Sequence, residues 1–307
     1  ALPEMKRLGY GPALSTGAIA AGGTLGFLIP PSTGFVIYAI LTEESIGRLF
    51  MAGILPGLLM MALFMLAIWI VTLRDPAAGP KGPVVPLLRR FALLGRALPL
   101  ICVIVVSIGG IYMGVFTPVE ASGIGASLTI LFAFATRSLS FAGLRRAVME
   151  TVSTSAMLYM IVIGANVLNP FLALTGVPAG LEAGLASLGL GPYGTLAVIL
   201  LSYVVLGMFL DGLAMLVITI PIYFPVITAL GFDPIWFGVI AVIVIEMGMI
   251  TPPVGLNVFV VRNVAEDVAL TTIFRGVMPF MVAMIACLIL IVAFPQIALV
   301  IPNSMFN

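Results

Sequence analysis

The sequence predicts an all-α polytopic membrane protein built from two repeats of opposite orientation, and three observations lead to this prediction. First, 62% of the 307 residues are hydrophobic and 8% are charged, whereas soluble domains carry about 25% charged residues. Second, the apolar runs are long and continuous, as in membrane helices; barrel strands would alternate with a period of two. Third, one Gly- and Pro-rich pattern occurs twice, and the basic residues give its copies opposite orientations.

Nine apolar segments are predicted along the chain, and several exceed the roughly 20 residues that cross a bilayer. They cover residues 9–37, 52–73, 98–116, 119–136, 151–169, 171–190, 193–225, 234–262 and 276–301. The first, seventh and eighth are too long for simple helices and contain Gly or Pro breaks. The fifth and sixth are joined at Asn169–Phe171, and they form either two crossings or a re-entrant hairpin.

The repeated pattern places a double proline inside two of the long apolar segments. The first copy reads GYGP…GFLIPPSTG and the second reads GFDP…GMITPPVGL, at a constant offset of 222 residues that separates Gly9 from Gly231. The breaks fall at Pro30–Pro31 and Pro252–Pro253. Paired, Gly- or Pro-interrupted apolar segments in two halves of a membrane protein indicate the binding site of a transporter.

Lys and Arg residues predict the orientation. The basic loop at 74–96, rich in Pro and Gly, is expected on the cytoplasmic side as the linker between the halves. Only Arg48 of the 13 Lys and Arg residues then falls outside, and the C-terminus is predicted to be periplasmic. Segment 9–37 runs outward and segment 234–262 runs inward. Such an inverted-topology repeat is typical of alternating-access carriers, although a channel can also contain one.

The double-proline breaks are candidate Na⁺ sites. Proline removes a backbone donor and clashes with the preceding turn, and in lipid the freed carbonyls must be satisfied by protein, water or an ion. Side-chain oxygens beside the breaks come from Ser32 and Thr33 in the first copy and from Thr251 and Asn257 in the second. The structural alternative is a kink that neighbouring helices relieve.

Two carboxylates lie within apolar runs. Asp211 is flanked by Gly207 and Gly212, so the backbone is expected to open there. A carboxylate at membrane depth needs a cavity or a partner, which predicts ion coordination or substrate contact, with helix packing as the alternative. Glu246 lies about one turn before the second break. It is either a cation or proton site or a buried cap of the broken helix.

The apolar stretch from Ser153 to Phe171 also contains small polar residues. Their hydroxyl and amide groups suit an anionic or hydroxylated solute and Na⁺ alike, and hydrogen bonding between helices is the alternative.

Glu120 is interpreted as a first-turn capping residue. The candidate ion- and substrate-binding residues are Gly26, Pro30, Ser32, Thr33, Ser155, Asn166, Asn169, Asp211, Thr251, Pro252, Gly255 and Asn257, with Glu246 as a possible proton or cation site.

Composition excludes several functions. The chain has no His, which excludes imidazole catalysis and His-metal sites. A net charge of +1 argues against a nucleic-acid partner. An intramembrane hydrolase would have to use Asp211 and Glu246, which lie in different contexts without a catalytic motif. We therefore expect no enzyme, no cofactor, and no metal other than Na⁺ as coupling ion.

At this point the residues resemble a known family, the large membrane subunit of tripartite ATP-independent periplasmic (TRAP) transporters. The matching runs are LPEMKRLGYGPALSTGAIAAGGTLGFLIPPS, YAILTEESIGRLFMAGILPG, GIYMGVFTPVEASGIGA, GMFLDGLAMLVITIPIYFP and FGVIAVIVIEMGMITPPVGLNVFVV. The sequence departs from the family pattern in TPVEAS, where alanines are more usual after the Glu. The first repeat also looks truncated, so the chain is expected to be the C-terminal portion of a longer protein.

The resemblance implies a Na⁺-driven importer of the ion-transporter superfamily in the bacterial inner membrane. A periplasmic binding protein would deliver an organic acid such as a C4-dicarboxylate or sialic acid. A small membrane subunit would brace the large one in the lipid bilayer, and a transport domain would move as an elevator against a scaffold. A proton-coupled carrier that uses Glu246 is the alternative.

On this sequence the resemblance implies five regions, with arms near Thr42–Phe50, Leu139–Val152 and Ala265–Phe274. Residues 1–73 form the truncated first repeat with its broken helix, arm and following span. The others are a cytoplasmic linker (74–97), scaffold spans with an arm (98–150), the second repeat with its transport-domain hairpin and broken helices (151–275), and a C-terminal scaffold span (276–307).

Overall fold

The computed structural model describes residues 1–80, 82, 86–187 and 189–305, with only the backbone at 87–94, 96–97, 169, 173, 178, 182 and 185–186. Within that part of the chain, helices follow one another without a strand. They are α1 (Leu2–Arg7), α2 (Pro12–Leu28), α3 (Thr33–Thr42), α4 (Ile46–Arg74), α5 (Leu87–Tyr112), α6 (Pro118–Ala135), α7 (Phe141–Thr175), α8 (Val177–Ser187), α9 (Gly191–Gly207), α10 (Gly212–Ala229), α11 (Pro234–Ile250), α12 (Leu256–Val264), α13 (Leu270–Ala293) and α14 (Gln296–Ser304).

Several of these helices are long and apolar enough to cross a membrane. Among the described residues there are five such helices, namely α4, α6, α7, α10 and α13. A sixth span is possible if α2 and α3, which are bent by 41° at the break between them, count as one. The prediction of an all-α polytopic membrane protein is therefore confirmed.

The repeat is visible in the order and length of the helices. Both α2 and α11 have 17 residues and begin with a proline, at Pro12 and Pro234, where a missing N–H costs nothing. Each is followed by a double proline with a cis peptide bond, then a short helix and then a long helix with an internal proline. The expectation that both apolar segments break at their double prolines is confirmed.

The chain divides into two compact units, and the first comprises residues 1–82 and 168–307. Its core surrounds α11, which is buried along nearly its whole length, as expected of a helix that is apolar on every side. The Trp236 indole donates a hydrogen bond to the Ile291 carbonyl at 2.9 Å. The Tyr38 hydroxyl donates one to the Pro234 carbonyl at 2.7 Å, which ties α3 to the start of α11.

The second unit comprises residues 83–167. Within it α5 packs against α6, and Thr117 and Glu120 form a capping box at the start of α6. The Glu120 carboxylate accepts a hydrogen bond from the Thr117 backbone N–H at 2.8 Å, and the Thr117 hydroxyl accepts one from the Glu120 N–H at 3.3 Å. The interpretation of Glu120 as a capping residue is confirmed.

Three boundaries differ from the segments predicted by hydropathy. The seventh segment is two helices, interrupted at 208–211 where Gly207 and Gly212 flank Asp211, as expected. The break predicted at Asn169–Phe171 is wrong, because α7 continues through Pro170 and ends at Thr175, just before Gly176, whose φ is +68°. An internal proline removes one hydrogen bond, whereas a left-handed glycine ends a helix. Helix α5 begins at Leu87, inside the predicted linker 74–97.

The stretches predicted as arms do not form separate helices in the described chain. Thr42–Phe50 contains the end of α3, a turn and the first residues of α4. Ala265–Phe274 joins α12 to the start of α13 in the same way, and Leu139–Val152 leads into α7. Helix α13 packs against α2 and α4 in the first unit. Its assignment to a scaffold stays a prediction.

Candidate functional site

A cavity of about 440 Å³ opens within the first unit beside the interrupted helices. Its walls come from the second half of α2, the start of α10, the end of α11 and the face of α12. The lining residues are Ile19, Ala20, Gly23, Gly26, Phe27, Asp211, Gly212, Leu213, Glu246, Met249, Asn257, Val260 and Val261. Most are apolar or glycine, and the charged and amide groups come from three residues. A largely apolar pocket with a few convergent polar groups is typical of a small-solute site.

Four of the sequence-predicted residues meet at this cavity: Gly26, Asp211, Glu246 and Asn257. Glu246 is 5% exposed, and its carboxyl group interacts with the side chains of Asp211 and Asn257. A Cβ added to Gly26 would find no atom within 4 Å, so this glycine borders open space. The four residues lie far apart in sequence, and the two broken helices and α10 bring them to one place.

Asp211 is held by the start of α10. It is the N-cap residue of that helix, and its carboxylate accepts a hydrogen bond from the Ala214 backbone N–H at 3.2 Å. Asp is among the preferred N-cap residues because its oxygen satisfies an unpaired N–H of the first turn, and the helix dipole favours its negative charge. The carboxylate itself remains exposed. Asp211 therefore combines a structural cap with a charge at the edge of the cavity.

Hydroxyl groups satisfy carbonyls at both double-proline breaks. At the first, the buried Ser32 hydroxyl donates a hydrogen bond to the Phe27 carbonyl and accepts one from the Phe35 N–H at 3.3 Å. At the second, the Thr251 hydroxyl donates a hydrogen bond to the Met247 carbonyl at 2.6 Å. Ser32 follows its proline pair and Thr251 precedes the other. The two breaks are therefore stabilised by hydroxyls from different positions of the repeat.

Gly255 connects two interruptions of the helices. Its backbone N–H donates a hydrogen bond to the Met208 carbonyl at 3.3 Å, so the second double-proline break touches the break between α9 and α10. Gly255 has a φ of +62° and is the N-cap of α12, a left-handed conformation that glycine adopts at little cost. This contact positions the start of α12, and with it Asn257, relative to Asp211.

Three further predicted site residues of the first unit, Pro30, Thr33 and Pro252, do not line this cavity. Pro30, in the first break itself, is buried, and Thr33 and Pro252 are exposed. Ser155 is half-buried and Asn166 is exposed, and both belong to the second unit. The side chain of Asn169 lies outside the described residues. The role of the polar residues at 153–171 in binding an ion or a solute stays a prediction.

Phe27 and Met249 are two of the apolar cavity residues that were not predicted from the sequence. They occupy equivalent positions of the repeat, at the offset of 222 residues, and both line the cavity. A Cβ added to Gly34 would lie 2.4 Å from the Phe27 ring, so the ring rests against the start of α3. The repeat itself was a signal for this pair, because each lies one residue after an equivalent glycine, Gly26 or Gly248.

The chemistry of the cavity fits a hard cation together with a small solute. Two carboxylates and one amide line it, and broken helices of transporters use backbone carbonyls and helix ends to hold Na⁺ and substrate. Among the described residues there is no group of three or more His, Cys, Asp or Glu that could hold a metal ion.

Helices that are broken in pairs, spans that are long enough for a bilayer, and a polar cavity beside the breaks define a membrane transporter. Comparison with protein families identifies which kind. The family described as "Tripartite ATP-independent periplasmic transporter, DctM component" matches residues 1–297. The chain belongs to this family, and it is an integral membrane permease rather than an enzyme.

Relatives with curated names agree. The chain is 36% identical to the C4-dicarboxylate TRAP transporter large permease protein DctM of Pseudomonas aeruginosa, with 99% of this chain and 70% of that protein covered. It is 34% identical to the sialic acid TRAP transporter large permease protein SiaM of Vibrio cholerae, with 98% and 70% covered. It is 31% identical to the ectoine TRAP transporter large permease protein TeaC of Halomonas elongata, with 99% and 71% covered.

Proposed function

We propose that this chain is the permease subunit of a Na⁺-coupled importer of an organic acid. The observation that carries the proposal is the convergence of Asp211, Glu246 and Asn257 on one cavity beside the broken helices. A carboxylate at membrane depth requires a partner, and Na⁺ supplies one without a proton. The bound cation also offsets part of the charge of a carboxylate substrate, which couples the binding of the two.

The proposal extends to partners and location. The family is described as tripartite, and the relatives are named large permease proteins. These descriptions support a small membrane subunit beside this one and a periplasmic protein that delivers the substrate. We place the complex in the bacterial inner membrane, with the C-terminus in the periplasm and a transport domain that moves as an elevator. The distribution of basic residues supports that orientation.

The substrate is proposed only as a class. Three relatives of similar identity are named for a C4-dicarboxylate, for sialic acid and for ectoine, so overall identity does not select one solute. Within the cavity Gly23 and Gly26 leave space and Asn257 offers an amide. The class is therefore a small organic acid with hydrogen-bonding groups.

The test is uptake by the full-length subunit reconstituted in liposomes with its small membrane subunit and its binding protein. Labelled C4-dicarboxylate and labelled sialic acid are offered through the binding protein, with an inward Na⁺ gradient or with K⁺ in its place. We expect accumulation of one organic acid that requires the Na⁺ gradient. Uptake at the same rate without Na⁺ would remove the coupling from the proposal while leaving the family assignment intact.

Proton coupling through Glu246 is a second candidate, because this buried carboxylate faces the cavity. It predicts uptake driven by an inward proton gradient in the absence of Na⁺, and loss of that dependence in Glu246→Gln. Glu150→Gln is the matched control, because Glu150 is an exposed carboxylate outside the cavity lining. Na⁺ coupling instead predicts that a proton gradient alone drives no accumulation in the wild-type protein.

A further inference from the structure

A second cavity lies between another pair of repeat-related helices, α4 and α13. It is a groove of about 510 Å³ between α4 and α13, formed by residues 63–74 and 275–286. None of its lining residues belongs to the polar cavity described above. It is apolar along its length, and two arginines, Arg74 and Arg275, lie at one end.

The floor of the groove is rigid and made of small residues. Behind it Phe64 and Phe280 pack edge to face with ring centroids 5.3 Å apart, so the two helices are fixed against each other. Ala67 and Ala283 are 9% and 7% exposed, and they leave a channel where larger side chains would fill the space. The groove therefore results from the way α4 and α13 pack against each other.

The rims of the groove are uncovered hydrophobic surface. Leu66 is 45% exposed, Met278 is 45% exposed and Val282 is 64% exposed. From Arg275 to Ala286 the groove follows α13 for about 16 Å at 1.5 Å per residue. That length is about half of the roughly 30 Å hydrocarbon core of a bilayer. The groove thus matches one leaflet.

The two arginines have no hydrogen-bonding or ion-pair partner among the residues that the structure describes. Both are exposed. Guanidinium groups bind phosphate in a bidentate manner and are preferred where planar recognition of phosphate is needed. Two of them at the mouth of an apolar groove present charge complementary to an anionic headgroup.

We propose that this groove binds an anionic phospholipid, with its phosphate between Arg74 and Arg275 and one acyl chain along α4 and α13. The distribution of basic residues predicts a cytoplasmic location for both arginines, and basic pockets between membrane helices on that side bind anionic headgroups. A free phosphate would use the arginines alone and leave about 16 Å of apolar channel unfilled. A phospholipid would occupy both the arginine pair and the apolar groove.

Lipid binding to the purified full-length complex tests the proposal. Native mass spectrometry after delipidation gives the affinity for phosphatidylglycerol and for zwitterionic phosphatidylcholine. We expect a preference for phosphatidylglycerol that falls about 5-fold in Arg74→Gln or Arg275→Gln and about 30-fold in the double variant, from about 1 kcal/mol per basic residue near a membrane surface. Arg146→Gln, an exposed arginine outside the groove, is the control and should bind as the wild type.

A second pair of variants keeps both arginines and blocks the acyl channel. Ala286→Leu narrows the groove, whereas Ala293→Leu adds the same side chain at an exposed position further along α13. We expect Ala286→Leu to lower the affinity for long-chain phosphatidylglycerol at least 5-fold and to leave α13 folded, because Ala286 is only half-buried. Equal binding by both variants, or equal affinity for the two lipids in the wild type, would overturn the proposal.

A photo-crosslinker at Val282 identifies the occupant directly. Capture of phospholipid from the native membrane supports the proposal. Capture of the small membrane subunit, or of another segment of this protein, overturns it, because the groove would then be a protein interface. Inorganic phosphate that competes with phosphatidylglycerol at equal concentration would also overturn it, since the acyl chain would contribute nothing.

Discussion

The backbones of Gly207 and Gly248 are in direct contact. A Cβ built on Gly248 would lie 2.7 Å from the Cα of Gly207, and a Cβ on Gly207 would lie 2.9 Å from the Cα of Gly248. Gly207 ends α9 and Gly248 lies two residues before the end of α11. The two helices therefore cross where both are about to break, and this crossing sets the distance between Asp211 and Glu246, which follow and precede it.

This contact predicts that Gly248→Ala destabilises the protein. The added methyl must displace backbone rather than a flexible side chain, and overpacking of this kind typically costs about 1–3 kcal/mol. The expected result is a lower midpoint of thermal unfolding in detergent together with a loss of uptake, because the cavity walls shift. Differential scanning calorimetry and transport in liposomes measure the two effects.

Gly26→Ala is the control, because Gly26 is the repeat-related partner of Gly248 and its Cβ would meet no atom within 4 Å. Alanine is the better helix former by about 0.5–1 kcal/mol, so this variant should unfold at the same or a higher temperature. Its methyl group enters the cavity, so we expect weaker substrate binding without loss of stability. If Gly248→Ala unfolds no lower than Gly26→Ala, the close crossing is not a constraint.

Two substitutions of Asp211 distinguish the effect of its charge from its effect as a helix cap. Asn accepts the same hydrogen bond from Ala214 and is as good an N-cap as Asp, whereas Ala loses the cap at about 1 kcal/mol. Asp211→Asn should therefore keep the stability of the wild type and lose Na⁺-dependent uptake at least about tenfold, the effect of 1.4 kcal/mol in cation binding. Asp211→Ala should lose both.

Initial rates of uptake over a range of Na⁺ concentrations, measured beside thermal unfolding, distinguish these outcomes. A higher half-saturating Na⁺ concentration in Asp211→Asn would assign the carboxylate to the cation. Unchanged Na⁺ dependence in a stable Asp211→Asn protein would show that Asp211 acts only as a helix cap. The coupling ion would then have to bind without the Asp211 carboxylate.

Ser32 is predicted to be a structural residue of the first break. Its hydroxyl both donates to the Phe27 carbonyl and accepts from the Phe35 N–H, so Ser32→Ala removes a helix cap and leaves a buried carbonyl unpaired. Together these cost about 1–3 kcal/mol. Thr33→Ala is the matched control, because the neighbouring Thr33 is exposed and no cap depends on it. Equal unfolding midpoints for the two variants would contradict this role.

The sequence predicted the broken helices well, because their signals are local. Proline and glycine interrupt a helix wherever they occur at sufficient density, and the repeat at Pro30–Pro31 and Pro252–Pro253 doubled that signal. It also predicted Gly26, Asp211, Glu246 and Asn257, since a carboxylate or amide in an apolar run must reach a polar site. These four are the residues that the cavity brings together.

Other features of the structure depend on contacts between residues that are far apart in the sequence, so local sequence patterns do not predict them. Pro170 was expected to end a helix, but one missing hydrogen bond did not suffice, and the helix ends at Thr175, just before the left-handed Gly176. The contribution of Phe27 and Met249 to the cavity follows from how α2 and α11 face it. Likewise, the hydroxyls of Ser32 and Thr251 donate to carbonyls of the helices that precede the two breaks, α2 and α11, and their expected role in binding an ion stays a prediction.

The ion pair between Lys6 and Asp267, which lies outside the predicted membrane spans, leads to a prediction about how stability depends on pH. The Lys6 Nζ lies 2.5 Å from the Asp267 Oδ1 and joins α1 to the loop before α13. The hydrogen bond from Lys6 lowers the pKa of Asp267 below its usual value. Because the pKa is depressed in the folded state, the contribution to stability is complete above the unfolded-state value of about 3.9, and it is lost as the pH falls through the folded-state value.

Asp267→Asn should therefore lower the unfolding midpoint by the same small amount at pH 6 and at pH 8, and the difference should vanish in acid. The amount is small because the two side chains are 38% and 68% exposed, and salt screens such pairs. Thermal unfolding at low and high ionic strength across this pH range measures it, and the exchanged pair Lys6→Asp with Asp267→Lys should recover the midpoint. A difference that grows between pH 6 and pH 8 would assign the effect to another titrating group.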